Sequence, residues 1–277
     1  MEKKNKLLKP LLYGILLTYA AFTLFPFLWA VSGSFKTYQE ITSGSMSILP
    51  KEPTLNAFTK LFTMDEYFIR WVFNSFLICT VGTVINVILN SMAGYSLSRL
   101  HFRGRNLVFY IILATIMVPG QVLLIPNYLI VKNLGMINSY AAILFPTAVN
   151  ATYIFMMRQF YMNFPKDVEE AAAIDGLGPL GTFFRIAMPL AKAPIATQSV
   201  FIFLGYWNAF LQPKLYLQTP SKYTLTVGIQ SMMSRYSGIT QWDEVMAASV
   251  ISLVPILIIY IVLNKYFMQS VRMDGEK

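Results

Sequence analysis

Six long stretches of this 277-residue chain contain no Asp, Glu, Lys or Arg. Each is 20 to 28 residues long and rich in aliphatic and aromatic side chains. Because a helix rises about 1.5 Å per residue, about 20 residues cross the roughly 30 Å hydrocarbon core of a bilayer. The pattern predicts an all-α, polytopic membrane protein with six transmembrane helices, at residues 10–35, 71–98, 106–131, 133–157, 193–213 and 245–264. The first run is longer than the roughly 7–15 residues of a signal-peptide core, so we expect it to be retained.

The composition agrees with a chain embedded in lipid and excludes several other classes. Only 13% of the residues are charged, whereas a soluble domain carries about 25%. Hydrophobic residues make up 56%, which excludes a disordered chain. The single cysteine, Cys79, excludes a disulfide scaffold. The net charge of +9 does not require a nucleic-acid partner, because the basic cytoplasmic loops of a membrane protein give the same excess.

The distribution of Lys and Arg predicts which side of the membrane each loop faces. Six crossings place both termini on one side, where 14 of the basic residues lie, against 8 on the other. The short loop with Arg99, Arg103 and Arg105 is the most basic. The positive-inside rule then places both termini in the cytoplasm. The predicted organisation is a cytoplasmic N-terminus at 1–9, a six-helix transmembrane domain at 10–270 and a cytoplasmic tail at 271–277.

Two of the apolar runs carry features beyond hydrophobicity. Pro119, Gly120 and Pro126 interrupt the third run, so we expect that helix to be kinked or broken. Asn86 and Asn90 lie four residues apart on one face of the second run. Polar groups at membrane depth are costly against lipid, so this face should point at protein or water. A helix that lines a path and a helix held by interhelical hydrogen bonds both fit this pattern.

The chain lacks the motifs by which transporters and nucleotide-binding proteins use energy directly. No apolar run contains Asp or Glu, which counts against proton- or sodium-coupled transport. No G-x-x-x-x-G-K-[ST] sequence occurs. Residues 176–181 satisfy G-x-G-x-x-G but follow a predicted helix and contain Pro179, whereas a dinucleotide site follows a strand. The energy source is therefore expected on another chain.

The loop 163–194, between the fourth and fifth runs, predicts a helix, a turn and a second short helix. Pro165 suits a helix start, and acidic residues in the following turn offset the helix dipole. Gly176 is a natural C-terminal stop, and Pro179 can open the second helix. Alanines dominate the first helix, so another protein could approach its backbone closely.

This loop resembles the EAA loop of bacterial ABC importer permeases, which reads E-A-A-x-x-x-G and, after nine residues, I-x-L-P. The matching residues are Glu170, Ala171, Ala172, Gly176, Ile186 and Pro189, with Met188 in place of Leu. The form E-E-A-A-x-I-D-G is similar to carbohydrate-type permeases, in particular the second permease of the maltose-transporter-like group. The likeness extends to Asn74, Ser75, residues 94–99 and 102–105, Leu134, Gly135, Trp207 and Asn208.

The resemblance implies a permease subunit of an ABC importer in the bacterial cytoplasmic (inner) membrane, with a coupling helix between transmembrane helices 4 and 5. It implies a homologous second permease, two ATPase subunits that hold ATP and Mg, and an extracellular or periplasmic solute-binding protein. It implies no catalysis, cofactor or metal in this chain. The implied ATPase-coupling residues are Glu169, Glu170, Ala171, Ala172, Ala173, Asp175, Gly176 and Pro189. An amphipathic surface helix without a partner is the alternative.

The resemblance also implies an oligosaccharide substrate, such as an α-galactoside or a maltodextrin. Sugar rings stack on aromatic side chains, and amides satisfy their hydroxyls. The candidate path residues are Asn86, Asn90, Gln121, Asn127, Gln198, Tyr206, Trp207 and Asn208. Tyr and Trp in the outer segment 214–244 fit both contact with the binding protein and an interfacial aromatic belt. The alternative function is a stand-alone channel or secondary carrier for a polar solute.

Overall fold

The computed structural model describes residues 2–44, 47–63, 65–233 and 240–274, and the regular secondary structure in these ranges is helical. A π-helical segment, Phe183–Ala187, and a 3-10 turn, Pro220–Lys222, accompany the α-helices. The α-helices are α1 (Glu2–Gly33), α2 (Tyr38–Thr42), α3 (Asn56–Thr63), α4 (Phe68–Arg99), α5 (Arg105–Ile116), α6 (Leu124–Asn133), α7 (Ala141–Leu144), α8 (Ala151–Met162), α9 (Lys166–Ile174), α10 (Pro179–Thr182), α11 (Met188–Leu190), α12 (Lys192–Trp207), α13 (Leu211–Tyr216), α14 (Leu225–Met232) and α15 (Trp242–Asp274). Part of the predicted tail, residues 275–277, lies outside the described residues.

Three helices in the described ranges are long and apolar enough to cross a membrane, at Lys9–Gly33, Phe68–Arg99 and Trp242–Val262. The pair Pro179–Leu190 and Lys192–Trp207, bent by 82°, counts as a fourth if it is one span. Within the described part of the chain, no residue in the apolar window of the first helix is buried. Lipid or a partner chain would cover such a surface, as expected of an all-helical membrane protein.

The third apolar run is broken, as its sequence predicts. Between α5 and α6 the chain makes a turn in which the amide of Val122 donates to the carbonyl of Pro119 at 3.0 Å. Pro119 lacks the amide hydrogen that a continuous helix would use. Pro126 falls in the first turn of α6, where a missing amide hydrogen removes no helical bond.

The fourth apolar run is also interrupted, which the sequence analysis did not predict. It forms α7 and α8 rather than one helix. Pro146 lies in the connecting turn. Asn150 begins α8 as its N-cap, because its side chain accepts a hydrogen bond from the Thr152 amide at 2.9 Å.

The chain divides into two compact units, one formed by Met1–Ile69 with Gly228–Pro255 and the other by Arg70–Val227 with Ile256–Lys277. In the first unit, Lys60 of α3 lies 3.7 Å from a carboxylate oxygen of Asp243 and 3.4 Å from one of Glu244. These two acids open α15 and are almost fully buried. The ion pairs thus fix the start of α15 against α3.

The second unit has an aromatic core next to the predicted coupling loop. The ring of Tyr95 in α4 packs against Tyr161 of α8 and Phe183 of the π-helical segment, with 5.4 Å between ring centroids in both pairs. All three side chains are buried. Gly94 lets α4 and α8 approach closely, because a Cβ there would lie 2.7 Å from the Cβ of Met157. This core gives the loop a rigid support.

Candidate coupling surface and polar cavities

The first helix of the predicted coupling loop forms where the sequence places it. α9 begins after Pro165, and two acidic residues in its first turn offset the positive end of the helix dipole. It ends at Ile174 with Asp175 as its C-cap, and Gly176 follows with a φ of 79°, a conformation that suits glycine. The Gly176 amide donates to the carbonyl of Ala173 at 3.1 Å, and the Leu177 amide to that of Ala172 at 2.9 Å. This paired closure, the Schellman motif, fixes the turn that follows α9.

The predicted coupling residues divide between two faces of α9. Ala172 is buried and Glu169 is half-buried, so this face packs on the protein. The opposite face also carries Ile174, which is 86% exposed and which the sequence analysis did not single out. The exposed members of the predicted set are Glu170, Ala171, Ala173, Asp175 and Gly176. We define these five residues with Ile174 as the coupling surface.

The second part of the loop is anchored in the aromatic core. Pro179 opens α10, as its sequence predicts. The π-helical segment then buries Phe183 and Ala187. Pro189 lies exposed in α11, where the chain turns by 82° into α12. The coupling surface is therefore continuous with a well-packed connection to the fifth apolar run.

A buried ion pair joins α9 to the end of α4, and sequence reasoning missed it. Arg99 Nε lies 3.6 Å from Glu169 Oε1, with side chains 8% and 21% exposed. Arg99 also donates a hydrogen bond to the carbonyl of Phe164, just before α9. The 70-residue separation in sequence gives no local signal for such a pair. The sequence analysis places Arg99 in the basic loop and within the family likeness at residues 94–99, and neither feature indicates Glu169 as its partner.

The two asparagines of α4 belong to a buried hydrogen-bond network. Asn86 Nδ2 lies 2.9 Å from the carbonyl of Thr147 and 3.1 Å from the hydroxyl of Tyr206. The Tyr206 hydroxyl is 2.7 Å from Thr147 Oγ1. Asn90 Oδ1 accepts from the amide of Asn150 at 2.9 Å. These bonds hold α4, α12 and the α7–α8 connection together, which is the interhelical alternative that the sequence left open.

Two other predicted path residues are also buried between helices. Gln198 of α12 donates to the Ser91 hydroxyl of α4 at 2.9 Å. The Trp207 ring packs against Phe76 and Phe203, with centroids 5.0 and 5.9 Å apart. Both side chains therefore stabilise the contact between α4 and α12.

Two neighbouring cavities of the second unit are lined by four of the predicted path residues. Asn127 is not among the described residues that line either cavity. The larger, about 410 Å³, is lined by Gln121 and Asn208, and the smaller, about 180 Å³, by Asn86 and Tyr206. Gln212 lines both cavities, and sequence reasoning missed it although it is the last but one residue of the fifth apolar run. None of the described residues that line either cavity is charged. Within the described ranges no group of three or more His, Cys, Asp or Glu side chains could hold a metal ion.

Residues 86–273 match the family described as binding-protein-dependent transport system inner membrane component. This chain belongs to that family. The match includes both cavities, the ion pair and the whole coupling loop. The chain is therefore a helical inner-membrane permease. The relatives described next confirm the predicted resemblance to carbohydrate-type ABC importer permeases.

Named relatives share most of the length of this permease. It is 32% identical to the polygalacturonan/rhamnogalacturonan transport system permease protein YtcP of Bacillus subtilis, over 99% of both chains. It is also 32% identical to the arabinooligosaccharides transport system permease protein AraQ of Bacillus subtilis, over 92% of this chain and 90% of the relative. A chain of a solved bacterial ABC transporter that imports the acidic polysaccharide alginate superimposes with a TM-score of 0.86 and 25% identity, covering 95% of this chain and 98% of that one.

These similarities decide between the functions that the sequence left open. The relatives are transport permeases of ABC importers, so this permease is a transport subunit and not an enzyme. They favour the importer subunit over a stand-alone channel or secondary carrier.

Proposed function

We propose that this permease forms half of the transmembrane path of an ABC importer for oligosaccharides and is driven by ATPase subunits that dock on the coupling surface. The observation that carries this proposal is an exposed, alanine-rich helix face on a rigid, packed support. Small side chains let another protein approach the backbone, while Glu170 and Asp175 offer charged hydrogen-bond acceptors. A homologous permease would supply the other half of the path, and two ATPase subunits would bind ATP and Mg.

We assign the six crossings to α1, α4, α5 with α6, α7 with α8, α12, and α15. The helices α5 and α6 contain 12 and 10 residues, and α7 and α8 contain 4 and 12. Interrupted helices are tolerated at membrane depth where protein or a water-filled cavity surrounds them. Four crossings precede α9, so α9 lies on the same side as the N-terminus. The basic loop after α4 makes that side the cytoplasm.

The lining of the cavities supports an oligosaccharide with neutral hydroxyl groups as the cargo. Amides from Gln121, Asn208 and Gln212 can donate to and accept from hydroxyls, and Phe210 and Tyr206 offer rings for stacking. Among the described lining residues there is no Lys or Arg that could pair with the carboxylate of an acidic sugar. A solute-binding protein would deliver the sugar, in line with the family description.

Reconstituted transport tests this function directly. We expect vesicles that contain both permeases and both ATPase subunits to accumulate a neutral oligosaccharide only with ATP inside and binding protein outside. A uronic-acid oligosaccharide of equal length provides the matched comparison. Accumulation without the ATPase subunits would support the channel or carrier and contradict the importer. Transport restricted to the acidic sugar would contradict the neutral substrate class alone.

A further inference from the structure

The Arg99–Glu169 ion pair lies where the end of a long membrane helix meets the coupling helix. Arg99 is the last residue of α4, and Glu169 lies in the first turn of α9. The Arg99 side chain is 8% exposed and that of Glu169 is 21% exposed. Charges so far removed from water interact more strongly than a surface pair, because little solvent screens them.

The partners of the two charged groups are few among the described residues. Arg99 Nε and Glu169 Oε1 have no hydrogen-bond partner there and face each other at 3.6 Å. The guanidinium donates to the carbonyl of Phe164 and lies over the Phe164 ring, 5.9 Å from its centroid. The Tyr95 hydroxyl interacts with the Glu169 carboxylate. Arg99 thus holds both the segment before α9 and the first turn of α9.

The rest of α9 offers little else to hold it. Its exposed face is the coupling surface, and Ala172 is its only fully buried side chain among those described. The methyl group of an alanine makes no directional bonds, so it opposes a sliding movement of α9 along the neighbouring helices only weakly. The ion pair and the Phe164 contact are directional and charge-assisted. They fix the position of α9 relative to α4.

We propose that Arg99 and Glu169 are positioning residues that form a clasp between α9 and α4, through which a movement of α9 reaches the membrane helix. The inference rests on the proposed function, because it assumes that an ATPase moves α9. The clasp itself touches neither substrate nor nucleotide. It transmits displacement because a buried ion pair and the rigid helix α4 move together. The same α4 carries Asn86 beside the smaller cavity, so the clasp and the path share one element.

The clasp predicts that Glu169→Gln separates ATP hydrolysis from transport. In the assembled transporter we expect the ATPase subunits to stay bound and hydrolysis to continue, while oligosaccharide taken up per ATP falls about tenfold, within the roughly 5–150-fold range of coupling between sites. Arg99→Gln should do the same. Arg103→Gln, which removes an exposed charge from the same loop, should leave the ratio unchanged. Measuring uptake and phosphate release in the same vesicles gives the ratio.

Where a single variant fails to assemble in the membrane, the exchanged pair, Arg99→Glu with Glu169→Arg, still tests the inference. Recovery of the uptake-to-hydrolysis ratio above that of either single variant, or recovery of an assembly that both single variants lose, supports a direct clasp. A wild-type ratio in Glu169→Gln overturns the inference. Release of the ATPase from Glu169→Gln also overturns it, since Glu169 would then act in docking. Failure of the wild-type chain to bind any ATPase would instead contradict the proposed function.

Discussion

Replacing Gly94 with leucine should prevent the permease from folding stably. A Cβ at this position would lie 2.7 Å from the Cβ of Met157 and 2.9 Å from the backbone nitrogen of Arg158. Backbone atoms of α8 cannot rotate away as the end of a flexible side chain can. Overpacking costs about 1–3 kcal/mol, so Gly94→Ala should already lower stability by that amount, and leucine by more. The thermal midpoint in detergent and the amount of protein in the membrane measure this effect.

Gly205 provides the matched control for Gly94. It also lies within a helix of the second unit, but nothing lies within 4 Å of a Cβ built there. Gly205→Ala should therefore keep the wild-type thermal midpoint or raise it slightly, because alanine favours helix. An unchanged midpoint in Gly94→Leu would show that α4 and α8 do not meet as described.

The second large effect is expected from Asn86→Leu. The Asn86 side-chain NH2 group lies within hydrogen-bond distance of the carbonyls of Gly82 and Thr147 and of the Tyr206 hydroxyl, at 3.0, 2.9 and 3.1 Å, and its two hydrogens are shared among these three acceptors. Leucine of similar size would leave buried partners unpaired, at about 1–3 kcal/mol for each unsatisfied group. We expect a lower thermal midpoint and a loss of transport. Asn106→Leu, at an exposed position of α5, is the control and should change neither.

A wild-type thermal midpoint together with wild-type transport in Asn86→Leu would contradict the structural role of the network. A variant with wild-type stability but reduced uptake would assign Asn86 to the path alone. The structure favours the joint outcome, because Asn86 is 2% exposed and also lines the smaller cavity.

Local signals made α9 and the break in the third run predictable. Pro165, the acidic first turn and Gly176 act within a few residues of one another, so their physical effect can be seen in the sequence. The break at Pro119 has the same local origin. The number of membrane crossings stays a prediction from the charge-free runs.

Contacts between distant segments were not predictable in the same way. Arg99 and Glu169 are 70 positions apart, and nothing near either residue indicates the other. The face shared by Asn86 and Asn90 followed from helical periodicity. Their partners, Thr147 and Asn150, lie in the turn between α7 and α8. The sequence analysis predicted one continuous helix there, because the apolar run carries no charge that marks the turn.

The central claim is that an ATPase subunit docks on the coupling surface, and purification of the assembly with Glu170→Lys tests it most directly. Placing a cation where the proposed interface uses a carboxylate should cost about 2–5 kcal/mol, as loss of a buried interfacial charge pair does. The account predicts that Glu170→Lys no longer retains the ATPase and no longer transports, while the binding protein still captures sugar. Glu52→Lys, a change at an exposed position of the predicted outer segment, should retain both the bound ATPase and transport. Full retention of the ATPase by Glu170→Lys would contradict the account.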